Sequence, residues 1–214
     1  MKVLKNLKRV LDNNLKYILF ILGAIIIFLL LKIFFKTEIY NIDYNVMMFV
    51  KTKLLSNDII NLFEVLTYLG DELVYFGIII LCFFIIKKKK YSLIISINLA
   101  FTYVLNRILK LSFRRQRPLV PVGKPEGGYS FPSSHTMCAC SFYLFLAYLI
   151  CEKIKKKSLK VLTYITAGLI ILIVGVSRIY LCVHYFSDVV AGLILGVLIF
   201  LLMKNYYKKD FKIW

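Results

Sequence analysis

Long apolar runs dominate the order of residues along this chain, broken by short lysine clusters and by one Pro/Gly-rich stretch. A spanning α-helix needs about 20 predominantly apolar residues. Residues 17–35 meet that length and carry Lys32 as a late charge. Residues 36–61 are mixed and amphipathic, which predicts an interfacial helix or loop. Residues 62–86 are apolar again, although Glu64, Asp71 and Glu72 interrupt their first half. Residues 91–113 form a further span ending in a basic cluster. Residues 114–131 hold Pro118, Pro121, Pro125, Gly123, Gly127 and Gly128, the composition of a loop. Spans over 132–151, 160–179 and 184–203 complete the pattern. The expectation is an all-α, polytopic membrane bundle of six transmembrane helices in one domain, 1–214. Residues 1–61 would supply an amphipathic segment, the first span and an interfacial segment. Residues 62–205 would form the catalytic core.

Composition fits the bilayer. Hydrophobic residues make up 60% of the chain and mean hydropathy is +0.78, whereas soluble domains run at about 45–50% apolar. The net charge of +18 admits two readings. One is a nucleic-acid surface; the other is cytoplasmic loops that follow the positive-inside rule. The lysines cluster between apolar runs, which favours the second and excludes nucleic acid as a partner. With six spans, the N-terminal segment, Lys87–Lys90, Lys153 with Lys155–Lys157, and Lys204 with Lys208, Lys209 and Lys212 all fall on one side. Both termini are then cytoplasmic, and the protein is a multi-pass plasma-membrane protein. No small-residue cleavage signal follows the first apolar run, so that run reads as a retained helix. The five cysteines are odd in number, lack a CxxC and lie mostly in apolar stretches. They imply neither a disulfide framework nor a zinc site. Gly192 and Gly196 form a G-x-x-x-G pair, read as ordinary helix packing that requires no dimer.

Three segments concentrate polar chemistry at helix ends: Lys110 to Pro118, Phe131 to His135, and Ser177 to Asp188. Ionisable residues at membrane depth mark functional sites, and the chain's two histidines both lie in these segments. Alternating helices bring all three to the outer side. Lys110, Arg117 and Arg178 would concentrate positive charge suited to phosphate oxygens. Ser133 and Ser134 stand at a helix start, where N–H groups favour an anion, and Pro132 suits a first helical position. His184 and Asp188, four apart on one helix, would share a face. Asp188 would hold one imidazole nitrogen and leave the other free as a nucleophile. His135 would be the general acid. Carboxylates are too few for a two-metal site and no HExxH occurs; no metal or other cofactor is expected. Each part alone has a plainer reading: flanking charge for Arg114–Arg117, a satisfied polar residue for His135, a helix-stabilising pair for His184/Asp188. Their joint occurrence on one face is what those readings leave unexplained.

These segments resemble the signature of the type 2 phosphatidic acid phosphatase family: K-x6-R-P, P-S-G-H and S-R-x5-H-x3-D. Lys110 to Pro118 and Ser177 to Asp188 match fully, and Pro132-Ser133-Ser134-His135 carries serine in place of glycine. The resemblance implies six transmembrane helices, no metal, and a phosphohistidine formed on His184. It assigns orientation of His184 to Asp188 and leaving-group protonation to His135. Lys110, Arg117, Ser133, Ser134 and Arg178 would hold the phosphate. A site near the membrane boundary implies an amphiphilic lipid phosphate as substrate and membrane lipids as surroundings. Undecaprenyl pyrophosphate, hydrolysed at the extracytoplasmic face, is the first expectation; phosphatidylglycerophosphate and phosphatidic acid are the alternatives. A transporter would string polar residues through several helices, whereas here they gather at one end. A lipid-phosphate-binding protein with an inactive site would release no phosphate.

Overall fold

The computed structural model describes residues 15, 18–30, 33, 36–85 and 89–208. The basic N-terminal segment, Lys87, Lys88, Lys209, Lys212 and the two termini therefore lie outside the described residues. Among the described residues every regular element is helical. Helix α1 covers Ile18–Leu30 and α2 covers Lys36–Phe49, continued by a π-helical turn over Val50–Leu54. Helix α3 spans Asn57–Leu66 and a 3₁₀ turn, Thr67–Gly70, links it to α4, Glu72–Ile85. The long helices are α5, Lys90–Phe113; α6, Ser134–Cys151; α7, Lys157–Tyr180; and α8, Phe186–Tyr206.

Among the described residues four helices, α5 to α8, are long and apolar enough to cross a membrane, and α3 with α4 makes a fifth span if the bent pair is counted as one. The fold is thus a polytopic helical bundle. The span expected over 62–86 is corrected: it begins earlier, at Asn57, and bends by 47° between α3 and α4. The bend falls where Gly70, Asp71 and Glu72 interrupt the apolar run. Asp71 is extended and its carboxylate accepts the Leu73 N–H at 2.9 Å, which restarts the helix as an N-cap does. The interfacial segment is largely helical, and Tyr180 ties it to the bundle by donating its hydroxyl to Leu54 O at 2.7 Å.

Helix α6 lies at the centre, packed by α5, α7 and α8. It is apolar on nearly every face, and such helices are buried. Helix α8 approaches it closely through the glycine pair. A Cβ on Gly196 would stand 2.6 Å from Cys140 Cβ and 2.9 Å from Met137 O, and one on Gly192 would stand 3.0 Å from Ser133 O. The G-x-x-x-G thus packs within the chain. On the other flank, buried Asn98 and Thr102 of α5 both hydrogen-bond Ser141 of α6, at 2.9 and 3.1 Å. A buried polar layer that is mutually satisfied fixes the register of the two helices. One step up, Asn106 donates to Pro132 O at 3.2 Å. These contacts set where the start of α6 sits against α5 and α8.

Two boundaries differ from the sequence expectation. Pro132 precedes the helix; Ser133 is the N-cap and Ser134 the first helical residue. His184 also lies outside a helix, because α8 begins at Phe186 after the N-cap Tyr185.

Candidate active site

The end of α5, the start of α6, the end of α7 and the start of α8 meet at one end of the bundle, roofed by the 114–133 loop. Helix α5 stops at Arg114, whose positive φ of 47° accompanies an N–H bond to Lys110 O at 2.9 Å. The loop then crosses to the α7–α8 turn, where Val122 and Gly123 both donate to Leu181 O, at 2.9 and 3.2 Å. It returns through Ser130, whose N–H bonds Arg115 O at 2.8 Å.

His184 is held by its backbone, its N–H donating to Arg178 O at 3.3 Å. Its ring is fully buried between two partners. Nε2 lies 3.0 Å from Arg117 Nη1, and Nδ1 lies 3.4 Å from Asp188 Oδ2. A guanidinium only donates, so Nε2 is the acceptor and the ring proton sits on Nδ1, facing Asp188. Burial, then Arg117, Arg178 and Lys110, hold the imidazole well below its ordinary value of 6.5. The ring is neutral at pH 7. The pairing survives the loss of the expected shared helix face for a specific reason. Asp188 sits in the first turn of α8 and its Oδ2 also accepts the Tyr185 N–H at 3.0 Å, so the carboxylate folds back over the preceding turn toward His184.

The anion of this pocket comes from the chain itself. Glu126, in the loop, pairs with Arg178 Nη2 through Oε1. Its Oε2 stands 3.1 Å from Arg117 Nη1 and 4.0 Å from His184 Nε2. Burial raises the Glu126 pKa, but Arg178, His135, His184 and Arg117 outweigh it and bring the value down to about 2. Arg178 is 2% exposed and gives Nη1 to Thr67 Oγ1 at 2.7 Å, yet its Nε is buried with no hydrogen-bond partner.

The remaining expected residues stand further back. Lys110 donates to Tyr129 O at 2.6 Å and Ser130 O at 3.3 Å, which leaves one of its three N–H groups. Ser133 is buried; its Oγ accepts from Thr136 Oγ1 at 3.0 Å and caps α6, and its N–H donates to Asp188 O at 3.1 Å. Ser134 and His135, half-buried, open the first turn, where N–H groups lack intrahelical acceptors. Among the described residues no three of His, Cys, Asp and Glu gather in a way that could hold a metal ion.

The profile described as PAP2 superfamily matches residues 91–212, more than half the chain and all three polar segments. The chain belongs to the PAP2 superfamily. It is a membrane phosphatase. It is 34% identical over 148 residues to phosphatidylglycerophosphatase B of Bacillus subtilis (strain 168), covering 67% of this chain and 73% of that one. Its fold matches the crystal structure of a transmembrane PAP2-type phosphatidylglycerolphosphate phosphatase from Bacillus subtilis, with TM-score 0.80 and 27% identity over 92% of this chain and 97% of the other. LpxE of Aquifex aeolicus shares the fold, with TM-score 0.60 and 24% identity over 77% and 95% of the two chains.

Three participants in this PAP2 site escaped sequence reasoning: Glu126, Arg115 and Asp43. Glu126 lies in a loop read only for its prolines and glycines. Arg115 belongs to a cluster that flanking charge would equally explain. Asp43 lies outside the matched PAP2 segment. The available signal for Glu126 was its acidity in an otherwise strongly basic half of the chain.

Proposed function

We propose that the chain dephosphorylates a lipid phosphomonoester of the phosphatidylglycerophosphate class, without a metal ion, through a phosphohistidine on His184. The observation that carries this is the Glu126 carboxylate held by Arg117 and Arg178, with its Oε2 4.0 Å from His184 Nε2. A carboxylate offers two oxygens and leaves Arg178 Nε unpaired. A phosphoryl group offers three, which suits that donor set better. Phosphate takes the place of Glu126, and the loop carboxylate swings out.

In the first step the Nε2 lone pair attacks phosphorus, the P–O ester bond breaks, and His135 gives its proton to the leaving alkoxide. Asp188 keeps the Nδ1 proton in place and balances the charge that develops on the ring. In the second step water gives a proton to His135 and attacks phosphorus, the P–N bond breaks, and inorganic phosphate leaves. Arg117, Arg178, the third N–H of Lys110 and the free N–H groups at Ser134 and His135 stabilise the equatorial oxygens. Ser133 serves by capping and seating that helix start. Serine at 134 in place of glycine keeps the N–H.

Undecaprenyl pyrophosphate, the first expectation from sequence, yields to the alternative. A relative that covers two thirds of this chain is named for phosphatidylglycerophosphate, which supports a monoester substrate. Lys153, Lys157 and Lys204 lie at helix ends opposite the site, which supports an extracytoplasmic active site by the positive-inside rule. Six spans with both termini cytoplasmic accord with that orientation.

The test is purified protein in detergent, offered phosphatidylglycerophosphate, phosphatidic acid and undecaprenyl pyrophosphate with EDTA present. Fastest phosphate release from phosphatidylglycerophosphate, vanadate inhibition and an acid-labile phosphoenzyme absent in His184→Ala are expected. Release from the pyrophosphate alone would return the substrate assignment to the first expectation; full activity in His184→Ala would end the mechanism.

A further inference from the structure

We propose that Arg115, braced by Asp43 from α2, is a positioning residue that fixes the Asp188 carboxylate so that Asp188 can orient His184. The inference rests on the reading of His184 as nucleophile and Asp188 as its partner.

The two oxygens of Asp188 have separate duties. Oδ2 faces His184 Nδ1 and the Tyr185 N–H. Oδ1 accepts from Arg115 Nη1 at 2.8 Å. The same Nη1 lies 2.6 Å from Ser187 Oγ, while Nη2 lies 2.5 Å from Asp43 Oδ2. Asp43 closes the ring from the far side, with Oδ1 accepting the Ser187 N–H at 2.8 Å and Oδ2 the Ser187 hydroxyl at 2.6 Å. The Arg115 guanidinium also lies over the Tyr185 ring, 4.2 Å from its centroid.

Burial makes this arrangement consequential. Asp43 is 1% exposed and Asp188 not at all. A buried carboxylate is tolerated only when paired and hydrogen-bonded, and Arg115 is shared between the two. A planar fork that binds two carboxylates at fixed angles sets orientation as well as charge. The Arg115 guanidinium hydrogen-bonds Ser187, Asp188 and Asp43, and neither Glu126 nor His184, so it acts through Asp188 and not on phosphate. The brace also ties α2 to the start of α8, which links the segment outside the PAP2 match to the catalytic turn.

Steady-state and single-turnover kinetics on the full-length protein in detergent test this, with a soluble short-chain phosphatidylglycerophosphate. Arg115→Gln should lower kcat about a hundredfold while KM stays within about threefold, since a misplaced partner costs rate more than binding. Vanadate inhibition should stay within about threefold, because Arg117 and Arg178 are untouched. Arg115→Lys, which keeps the charge and loses the fork, should fall between. Asp43→Asn should cost about tenfold, and it carries the test should Arg115→Gln fail to fold. In an Asp188→Asn background, Arg115→Gln should cost less than about twofold more, because both act through one group. Native kcat in Arg115→Gln and Asp43→Asn, or losses that multiply with Asp188→Asn, would overturn the proposal. So would an effect confined to KM and vanadate, which would make Arg115 a phosphate ligand. His184→Ala, measured in parallel, separates the failures: its full activity defeats the nucleophile assignment, whereas its inactivity beside a normal Arg115→Gln defeats only the brace.

Discussion

Arg117 points its Nη1 at Nε2 of His184 from 3.0 Å. Because arginine cannot accept, this one contact fixes the imidazole tautomer, with the Nε2 lone pair held by the same guanidinium that holds the Glu126 carboxylate. The same guanidinium accounts for part of the depressed proton affinity of the ring.

The pH dependence of kcat/KM follows. The groups that act on His184 are Arg117 and Glu126 from the loop, Arg178 from α7, Lys110 from α5 and Asp188 from α8. Burial and the cations win, so with His184 as the proposed nucleophile activity should fall only as pH drops below a value well under 6.5. Arg117→Gln removes one of the cations and should move the acid limb upward, toward the ordinary imidazole value. A rate profile of both proteins from acid to neutral pH checks the direction.

Asp188→Asn keeps the shape of the site and destroys its tautomer control. An amide can turn its NH₂ toward Nδ1 and drive the ring proton to Nε2. The expected loss in kcat is about a thousandfold or more, by analogy with the same exchange in serine-protease triads. Stability in detergent should fall much less than the rate, as a melting curve beside the kinetics would reveal.

Glu126→Gln removes the carboxylate that competes with phosphate. KM and the vanadate inhibition constant should both fall, by about tenfold if one competing ion pair is lost. Unchanged constants would mean that the loop carboxylate does not stand in the substrate's way.

Glu126 also carries a stability signature. Its value lies near 2 in the fold against an ordinary 4.5, so its contribution is fully present above about 4.5 and fades as pH falls toward about 2. The native protein should therefore lose more stability than Glu126→Gln over that interval, measured as the shift of melting temperature with pH.

Gly196→Ala should weaken the bundle. The added Cβ would meet Cys140 Cβ at 2.6 Å and Met137 O at 2.9 Å, and overpacking of this kind costs about 1–3 kcal/mol. Gly168, where an added Cβ meets nothing within 4 Å, serves as the control. Denaturation by SDS titration of both variants measures the difference.

Sequence alone determined the solvent, the number of strong apolar helices from α5 onward and the clustering of Arg117, Arg178, His184 and Asp188 toward one end. Hydropathy length, loop charge and motif spacing are local quantities, and the bilayer makes them decisive because backbone groups within it must be satisfied inside each helix. The break at Gly70–Asp71 was visible as misplaced charge but not as a bend, since charge marks a defect without giving its angle. The start of α8 was misjudged by two residues, because the apolar run continues through the cap.

Only the tertiary structure decided which groups touch. Glu126 and Asp43 belong to segments that carry no motif, Glu126 lying 58 residues before His184, in a chain whose local pattern says nothing of long-range pairing, yet each lies within hydrogen-bond distance of a residue at the site.

 Counted along the chain, Asp43 is 144 residues from its partner Ser187. Such contacts depend on how helices pack and where loops cross, and a carboxylate finds its cation there by distance in space, which no local periodicity encodes.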